Sequence, residues 1–330
     1  MKERIVLAYT GSLQASVAIR SLAEVDAAEV VTLTLDLGQR RDLAEVRDRA
    51  LAMGAARAHV LDVREEFARD FVLPALQAGA LRDGRDPMGA PLALSLIARK
   101  LLEMASIEEA TAIAHGCTGV DRRQMDANVR ALDPDIRVIA VGGAAVAQRT
   151  HANLWGRTYT STKSHAPSSE SRPPAGTSEM PAYVEIAFER GVPAAINGVE
   201  MPLTELIESL SIIAGQHGVG WIEEEESNVS GAQIHHVQEA PAAVVLHAAH
   251  AALEASVLPR DLLQLKRGRS TEYARIVSEG LWFTTARGTL DALNAKMQER
   301  VTGSVSITLF KETLLASAAA AVEHAVVPRI

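Results

Sequence analysis

The segment from Ile5 to Ile19 constrains the fold most strongly. An apolar run rich in β-branched residues ends at Ala8, a short polar turn around Gly11 follows, and apolar residues then recur at helical spacing. This order of strand, glycine turn and helix directs the free amides of a helix N-terminus towards one place, which is how many proteins bind phosphate groups. The segment therefore predicts a phosphate-binding loop at the end of a first strand.

The same alternation of strand and helix continues through the first half of the chain. Strand-like segments at 30–35, 58–63, 112–115 and 137–141 are separated by helix-like segments at 42–53, 65–76 and 92–105. Such alternation favours parallel pairing with crossover helices, and so an α/β fold with a doubly wound parallel sheet. Ligands of such sheets bind at the carboxyl ends of the strands, where the turns after Tyr9 and His115 lie.

The second half has a different pattern, typical of an α+β arrangement. A Ser-, Thr- and Pro-rich stretch at 161–178 predicts a flexible loop, and 183–188 alternates as a half-buried antiparallel strand does. Helices are predicted after Pro202 and at 240–255, and the Ala-rich stretch 316–327 is interpreted as a helix. We predict two domains, 1–150 and 151–330.

Charge and cysteine content exclude several classes of function. The net charge of −8 argues against a general nucleic-acid or anionic-membrane binder, and no apolar run reaches the length of about 18 residues that spans a membrane. A single cysteine, Cys117, excludes a disulfide framework or a multi-cysteine zinc site and fits the reducing cytoplasm. We expect a cytoplasmic protein that binds neither nucleic acid nor membrane and holds no protein-bound metal.

Several motifs in collinear order resemble one enzyme family. They are AYTGSLQAS at 8–16, LDLGQ at 35–39, HGCTG at 115–119, NLWGR at 153–157, IAGQHGVG at 213–220 and GLWF at 280–283. Together they are similar to argininosuccinate synthases, members of the N-type ATP pyrophosphatases, and indicate a divergent member. The resemblance implies that 1–150 is an adenine nucleotide α-hydrolase-like, nucleotide-binding domain and that 151–330 is a synthetase and multimerisation domain. It also implies ATP, Mg²⁺ and small amino-acid substrates: citrulline is adenylated with release of pyrophosphate, and the aspartate amine then displaces AMP.

The nucleotide-binding residues follow from this resemblance. They are Ala8, Thr10, Gly11, Ser12, Gln14, Ser16, Gly116 and Cys117. Ser12 replaces a family glycine, so its Cβ is expected to obstruct pyrophosphate or a positive φ angle. Gln14 replaces an aspartate, which removes a carboxylate that would organise the loop or a metal ion.

The amino-acid site departs further from the family. The substrate residues implied are Thr118, Arg122, Arg123, Thr158 and Glu226. Arg122 and Arg123 replace an Asn-Asp pair and Asp126 replaces an arginine, which changes how amino and carboxylate groups are recognised. This pair is either a site adapted to a more anionic ligand or a solvated pair. Glu226 likewise is either a ligand-binding group or one solvated charge in an acidic run.

Three other departures bear on activity. Asp86 and Gln238 stand where the family has tyrosines. Only residues 142–152 bridge a stretch that is several tens of residues long in the family, so the first domain is shortened. The family's C-terminal arm, which clasps neighbouring subunits, is replaced after Phe310, so we expect a homo-oligomer without the tetramer that this arm holds together.

Two functions of different class follow from these sequence features. The first is an AMP-forming ligase of this type with altered amino-acid substrates. The second is a catalytically inactive homologue with a binding, regulatory or scaffolding role. Binding of ATP and release of pyrophosphate distinguish them.

Overall fold

A computed structural model describes residues 3–25, 27–39, 41–141, 148–162, 178–227 and 233–320. The strands are β1 (Arg4–Ala8), β2 (Glu29–Asp36), β3 (Arg57–Asp62), β4 (Ala112–His115), β5 (Arg137–Ala140), β6 (Gln148–Asn153), β7 (Gly156–Thr162), β8 (Ala182–Glu189), β9 (Val192–Ile196), β10 (Val199–Glu200), β11 (Trp221–Ser227), β12 (Gln233–Glu239), β13 (Gly303–Phe310) and β14 (Thr313–Ala320). The helices are α1 (Leu13–Val25), α2 (Leu43–Ala52), α3 (Arg64–Phe67), a π-helical segment (Ala68–Val72), α4 (Leu73–Gln77), α5 (Gly89–Ile107), α6 (Gly119–Leu132), α7 (Leu203–Gln216), α8 (Pro241–Val257), α9 (Arg260–Ser278) and α10 (Thr285–Gln298).

The first five strands form one parallel sheet in the order β3-β2-β1-β4-β5. Alternate residues of β1 enter two different cores: Ile5 and Leu7 pack with Ile19 of α1, whereas Val6 packs with Leu96 of α5. A sheet covered by helices on both faces is the doubly wound arrangement. The sequence-based prediction of the α/β fold is therefore confirmed.

Antiparallel sheets dominate the remainder of the chain. One has the order β10-β9-β8-β13-β14 and the other β11-β12-β7-β6. Helix α8 is buried beneath the first of these and packs against β13 and β14. The predicted change from a parallel α/β part to an α+β part is confirmed, while the predicted loop at 161–178 lies mostly outside the described residues.

The helix predicted at 316–327 is wrong for residues 316–320, which belong to strand β14. Lys311 and Glu312 both have positive φ angles, 44° and 66°, and join β13 to β14 in a tight turn. Two positive φ angles suit the right-handed twist of a hairpin. Pairing with β13 along its whole length then overrides the helix propensity of alanine.

The two parts meet through hydrogen bonds at the carboxyl ends of the parallel strands. The Leu154 amide donates to the Leu37 carbonyl at 2.6 Å, and the Trp155 indole donates to the Pro87 carbonyl at 3.1 Å. The predicted division between residues 150 and 151 falls inside β6 and stays a prediction. Among the described residues, no helix is both long and apolar enough to cross a membrane.

Candidate nucleotide and amino-acid site

The loop after β1 has the geometry expected of a phosphate cradle. Gly11 is buried with a φ of +73°, and a Cβ there would lie 2.9 Å from the Val46 side chain of α2. Only glycine combines that backbone conformation with that close approach. The left-handed conformation falls on Gly11 and not on Ser12, so the expected conflict of Ser12 with a positive φ does not arise.

Ser12 instead caps helix α1. Its hydroxyl accepts a hydrogen bond from the Ala15 amide at 3.2 Å and one from the Thr10 hydroxyl at 3.1 Å. This is the role of a serine N-cap, which satisfies one of the free amides of the first turn. Ser16 lies buried below the loop, where its hydroxyl bonds to the Ser12 carbonyl and to the Tyr9 hydroxyl. Ser16 therefore supports the loop from inside.

Two backbone amides and two guanidinium groups make the loop a favourable place for an anion. Among the described residues, the amides of Leu13 and Gln14 have no hydrogen-bond partner, as expected in the first turn of a helix. Arg41 donates to the Thr10 carbonyl and Arg49 to the Gly11 carbonyl, each at 2.8 Å, and Arg49 also pairs with Glu45 at 2.5 Å. Amides, helix dipole and nearby positive charge all favour phosphate.

These contacts fit the phosphate groups of a nucleotide better than they fit a metal ion. The fit rests on backbone amides that Ser12 and Gln14 leave in place. The loop offers no carboxylate, because Gln14 is an exposed amide, and the described residues contain no group of three His, Cys, Asp or Glu able to hold a metal. A Mg²⁺ ion here would be held by phosphate and water.

The second glycine turn follows β4, directly beside β1 in the sheet. Gly116 is exposed and Cys117 half-buried, and the Cys117 amide donates to Nδ1 of the buried His115 at 3.3 Å. His115 Nε2 lies 3.3 Å from Asp126. Because Nδ1 accepts a hydrogen bond, His115 is the neutral tautomer with its proton on Nε2, and burial lowers its pKa. This pair fixes the turn to helix α6.

The charged residues at the start of α6 do not converge on one point. Arg122 is exposed and lies 3.7 Å from Asp126, and Arg123 is exposed on the same helix. Thr118 precedes the helix in extended conformation. Arg122 lies towards Asp126, one turn further along the helix. This position is compatible both with a site for an anionic ligand and with a solvated pair of arginines.

Asp86 and Gln238, which the resemblance places where the family has tyrosines, are in direct contact. Asp86 and Gln238 are both about nine-tenths buried, and the Gln238 amide donates to the Asp86 carboxylate at 2.8 Å. The same carboxylate accepts from the Met88 amide at 2.7 Å and pairs with Arg82. Thr158 is the cross-strand neighbour of Gln238. The structure thus brings Thr158 and Gln238 together beside the 80–90 loop.

Glu226 lies apart from this cluster. It is on β11, where its backbone pairs with Ile234, while Gln238 pairs with Ile222, four residues away along the strand. The Glu226 side chain lies outside what the structure describes, so its two readings stay open. The sequence analysis did not predict the contacts of Arg41 and Arg49 with the loop carbonyls. No motif or spacing near either arginine indicates such a contact.

The fold and the loop define a class: nucleotide-binding α/β proteins with a phosphate cradle after the first strand, joined to an antiparallel α+β part. The family model of the arginosuccinate synthase N-terminal HUP domain matches residues 4–159, and that of the arginosuccinate synthase C-terminal domain matches residues 152–323. The chain belongs to the argininosuccinate synthase family.

Named relatives agree along nearly the whole chain. The argininosuccinate synthase of Dictyoglomus turgidum is 39% identical over 340 residues, which cover 93% of this chain and 85% of that protein. Those of Symbiobacterium thermophilum and Rubrobacter xylanophilus are each 39% identical, over 94% of this chain and 86% and 83% of those proteins. The match therefore includes both parts of the fold.

Proposed function

We propose that this protein is an ATP-dependent, AMP-forming ligase of the argininosuccinate synthase type whose amino-acid site has changed. The observation that carries the proposal is the intact backbone of the loop after β1, with the left-handed Gly11 and the capped N-terminus of α1. Binding there depends on main-chain amides, so the replacements at Ser12 and Gln14 leave it available. Membership of the family supports the same reaction class.

In this proposal the loop and the two arginines beside it bind and orient the phosphates of ATP. The amides of Leu13 and Gln14 supply hydrogen bonds, and Arg41 and Arg49 supply positive charge. ATP supplies the leaving group that drives formation of the carbon–nitrogen bond. Catalysis of this kind depends on positioning and on charge neutralisation rather than on a nucleophilic side chain.

The proposed change of substrate rests on the contact between Asp86 and Gln238. Each oxygen of the Asp86 carboxylate is already bonded within the chain, to the Gln238 and Met88 N–H groups or to Arg82. Two tyrosines would offer their hydroxyl groups to a ligand. Asp86 and Gln238 instead use their hydrogen-bonding groups to bond to each other. We therefore expect weak or absent use of citrulline and recognition through other groups, Thr158 among them.

A second candidate is a binding or regulatory protein without ligase activity. The same self-bonded pair favours it, because a site whose polar groups satisfy each other has less left for a substrate. This candidate couples ATP to no amino acid and does not require ATP binding. Release of pyrophosphate therefore separates the two candidates even where the nucleotide binds.

Two measurements test the proposal. Titration calorimetry with ATP and Mg²⁺ is expected to show binding, and a coupled pyrophosphate assay with the twenty amino acids and citrulline is expected to show release with at least one amine–acceptor combination. Citrulline with aspartate is expected to give weak release or none. No ATP binding at millimolar nucleotide contradicts the ligase. Binding without release under any combination favours the second candidate.

A further inference from the structure

Two side chains from distant parts of the chain hold the main chain at the end of the 80–90 loop. The Trp155 indole donates to the Pro87 carbonyl at 3.1 Å. The side-chain amide of Gln124, which lies on α6, donates to the Pro91 carbonyl in the first turn of α5 at 3.0 Å. Gln124 therefore joins this loop to the helix that begins with predicted substrate residues.

Gln124 also joins α6 to the end of α9. Its amide nitrogen donates to the Val277 carbonyl at 2.8 Å, so both N–H groups of the amide are used. The residue is only 2% exposed. Beside it, a Cβ on Gly280 would clash with the Gln124 carbonyl, and Gly280 has a φ of +74°, so only glycine suits that position. Helices α5, α6 and α9 thus meet at one buried amide.

The position of Gln124 within α6 gives this junction control over the start of the helix. The other buried residues of α6 all lie further along it: Met125, Asn128 and Val129. Arg122 and Arg123 immediately precede Gln124 and are exposed. Gln124 is therefore the buried contact of α6 nearest to its N-terminus, and a shift at Gln124 moves the two arginines with it.

We propose that Gln124 is a positioning residue for the amino-acid end of the site. It holds the start of α6, where Thr118, Arg122 and Arg123 lie, at a fixed distance from the start of α5. Helix α5 follows the loop that contains Asp86, so Gln124 sets the separation of the two regions. A misplacement of about 1 Å is enough to cost about 100-fold in rate. This role rests on the proposed function, because it serves the amino-acid end of that site.

The phosphate loop is held by different contacts. Arg41 and Arg49 donate to its carbonyls, and Ser16 supports it from below. The side-chain bonds of Gln124 run instead to α5 and α9. Loss of the Gln124 amide is therefore expected to affect the use of amino acids much more than the affinity for ATP.

Gln124→Met is the variant that tests this role. Methionine keeps the length of the side chain and removes both N–H donors. The Pro91 carbonyl still accepts from the Ser95 hydroxyl at 3.3 Å, and the Val277 carbonyl from the Gly280 amide at 3.3 Å, so neither is left without a donor and the variant is expected to fold. If it does not fold, Gln124→Asn, which keeps both donors on a shorter side chain, is expected to change the same measurements in the same direction.

Asn128→Leu is the matched control. Asn128 is also fully buried on α6, one turn further along, but its amide donates to the Gln124 carbonyl within the same helix at 3.1 Å. The control therefore removes a buried amide from α6 and leaves the bonds to α5 and α9 in place.

Hydrogen exchange of the backbone amides of the full chain measures the effect without a substrate. Gln124→Met is expected to speed exchange at 80–92 and at 117–124 together by at least about tenfold, because both segments open when the link is lost. Asn128→Leu is expected to leave exchange at 80–92 within about twofold of the unchanged protein. Unchanged exchange in Gln124→Met, or an equal increase at 80–92 in the control, overturns the proposal.

Pyrophosphate release measures the consequence for the site. With any amino-acid combination that supports release, Gln124→Met is expected to raise the KM for the amino acid at least about tenfold and to leave the KM for ATP within about twofold. An equal rise in the KM for ATP, or the same rise for the amino acid in Asn128→Leu, contradicts a positioning role. If the unchanged protein releases no pyrophosphate, the proposed ligase fails, and hydrogen exchange alone decides the role of Gln124.

Discussion

The loop after β1 and the region around Asp86, which we propose as the amino-acid end of the site, both depart from the pattern that the family resemblance implies. At the loop, Ser12 caps the helix it precedes, Gln14 is exposed, and the left-handed position is Gly11. At the amino-acid end, Asp86 and Gln238 are buried and bond to each other. The replaced residues of the first region leave its backbone amides accessible, whereas those of the second bond to each other.

The difference follows from which atoms form each site. A phosphate cradle uses backbone amides, and these depend on one glycine conformation and one helix N-terminus rather than on many side chains. Amino-acid recognition uses side-chain hydroxyls, carboxylates and guanidiniums, each of which is lost when its residue is replaced. Divergence within one scaffold is therefore expected to change substrate choice before it changes nucleotide binding.

Replacing Gly11 is the strongest way to break this comparison. Gly11→Ala places a Cβ 2.9 Å from Val46 at a φ of +73°, so we expect a loss of about 2 kcal/mol of unfolding free energy and at least about tenfold in ATP affinity. The matched control is Gly198→Ala, which has a φ of +78° with nothing within 4 Å of its Cβ. Urea unfolding and ATP calorimetry measure both. Unchanged ATP affinity in Gly11→Ala would contradict the role of the loop.

Much of the fold, including the loop after β1, was predictable because it depends on local features of the sequence. Hydrophobic periodicity and glycine positions define β1, the turn at Gly11 and the doubly wound sheet, because these features are local. Strand β14 was missed because its turn uses Lys311 and Glu312 at positive φ, where glycine or asparagine would have signalled a hairpin.

The contacts around Asp86 were less predictable from the sequence because they join residues that are far apart in the chain. Asp86 and Gln238 are 152 positions apart in the chain, and the sequence marks each as a departure without indicating that they meet. The contacts of Arg41 and Arg49 with the loop carbonyls are of the same kind. A single sequence has no periodicity that reports such pairs.

Breaking the Asp86–Gln238 contact tests whether these two residues stabilise the protein through each other. Asp86→Ala leaves the Gln238 and Met88 donors without their acceptor, so we expect a loss of about 1.5 kcal/mol of unfolding free energy. A double-mutant cycle with Gln238→Ala is expected to give a coupling of about 1 kcal/mol. The control, Glu272→Ala, removes an exposed ion pair and is expected to leave the unfolding free energy nearly unchanged. Coupling near zero would mean that the two residues are independent.

Acidification is expected to weaken the second glycine turn. Burial lowers the pKa of His115 below 6.5, so between that lowered value and 6.5 the unfolded chain binds a proton that the folded chain does not. Stability from His115 is therefore present above about pH 6.5 and lost as the pH falls, by up to about 1.4 kcal/mol per pH unit.

An NMR titration of the His115 ring measures this effect, with His115→Gln assigning the signal. Asp126 opposes the effect of burial, so Asp126→Asn is expected to lower the pKa of His115 further. Titration of His115 at or above 6.5 in the unchanged protein would contradict the burial of a neutral ring. The affinity of the unchanged protein for ATP is expected to depend on pH less than its stability does, because the amides of the loop after β1 do not titrate.

The smallest expected effect concerns Ser12, and it separates two explanations of that replacement. If Ser12 acts as a helix cap, Ser12→Ala is expected to lower the unfolding free energy by about 1 kcal/mol and Ser12→Gly by only a few tenths, since glycine is also tolerated as a cap. ATP affinity is expected to stay within about twofold in both, because the left-handed position is Gly11. Thermal unfolding and calorimetry on the three proteins measure this. A large gain in ATP affinity in Ser12→Gly would show instead that the serine side chain obstructs the phosphates, and the loop would then belong with the altered amino-acid end.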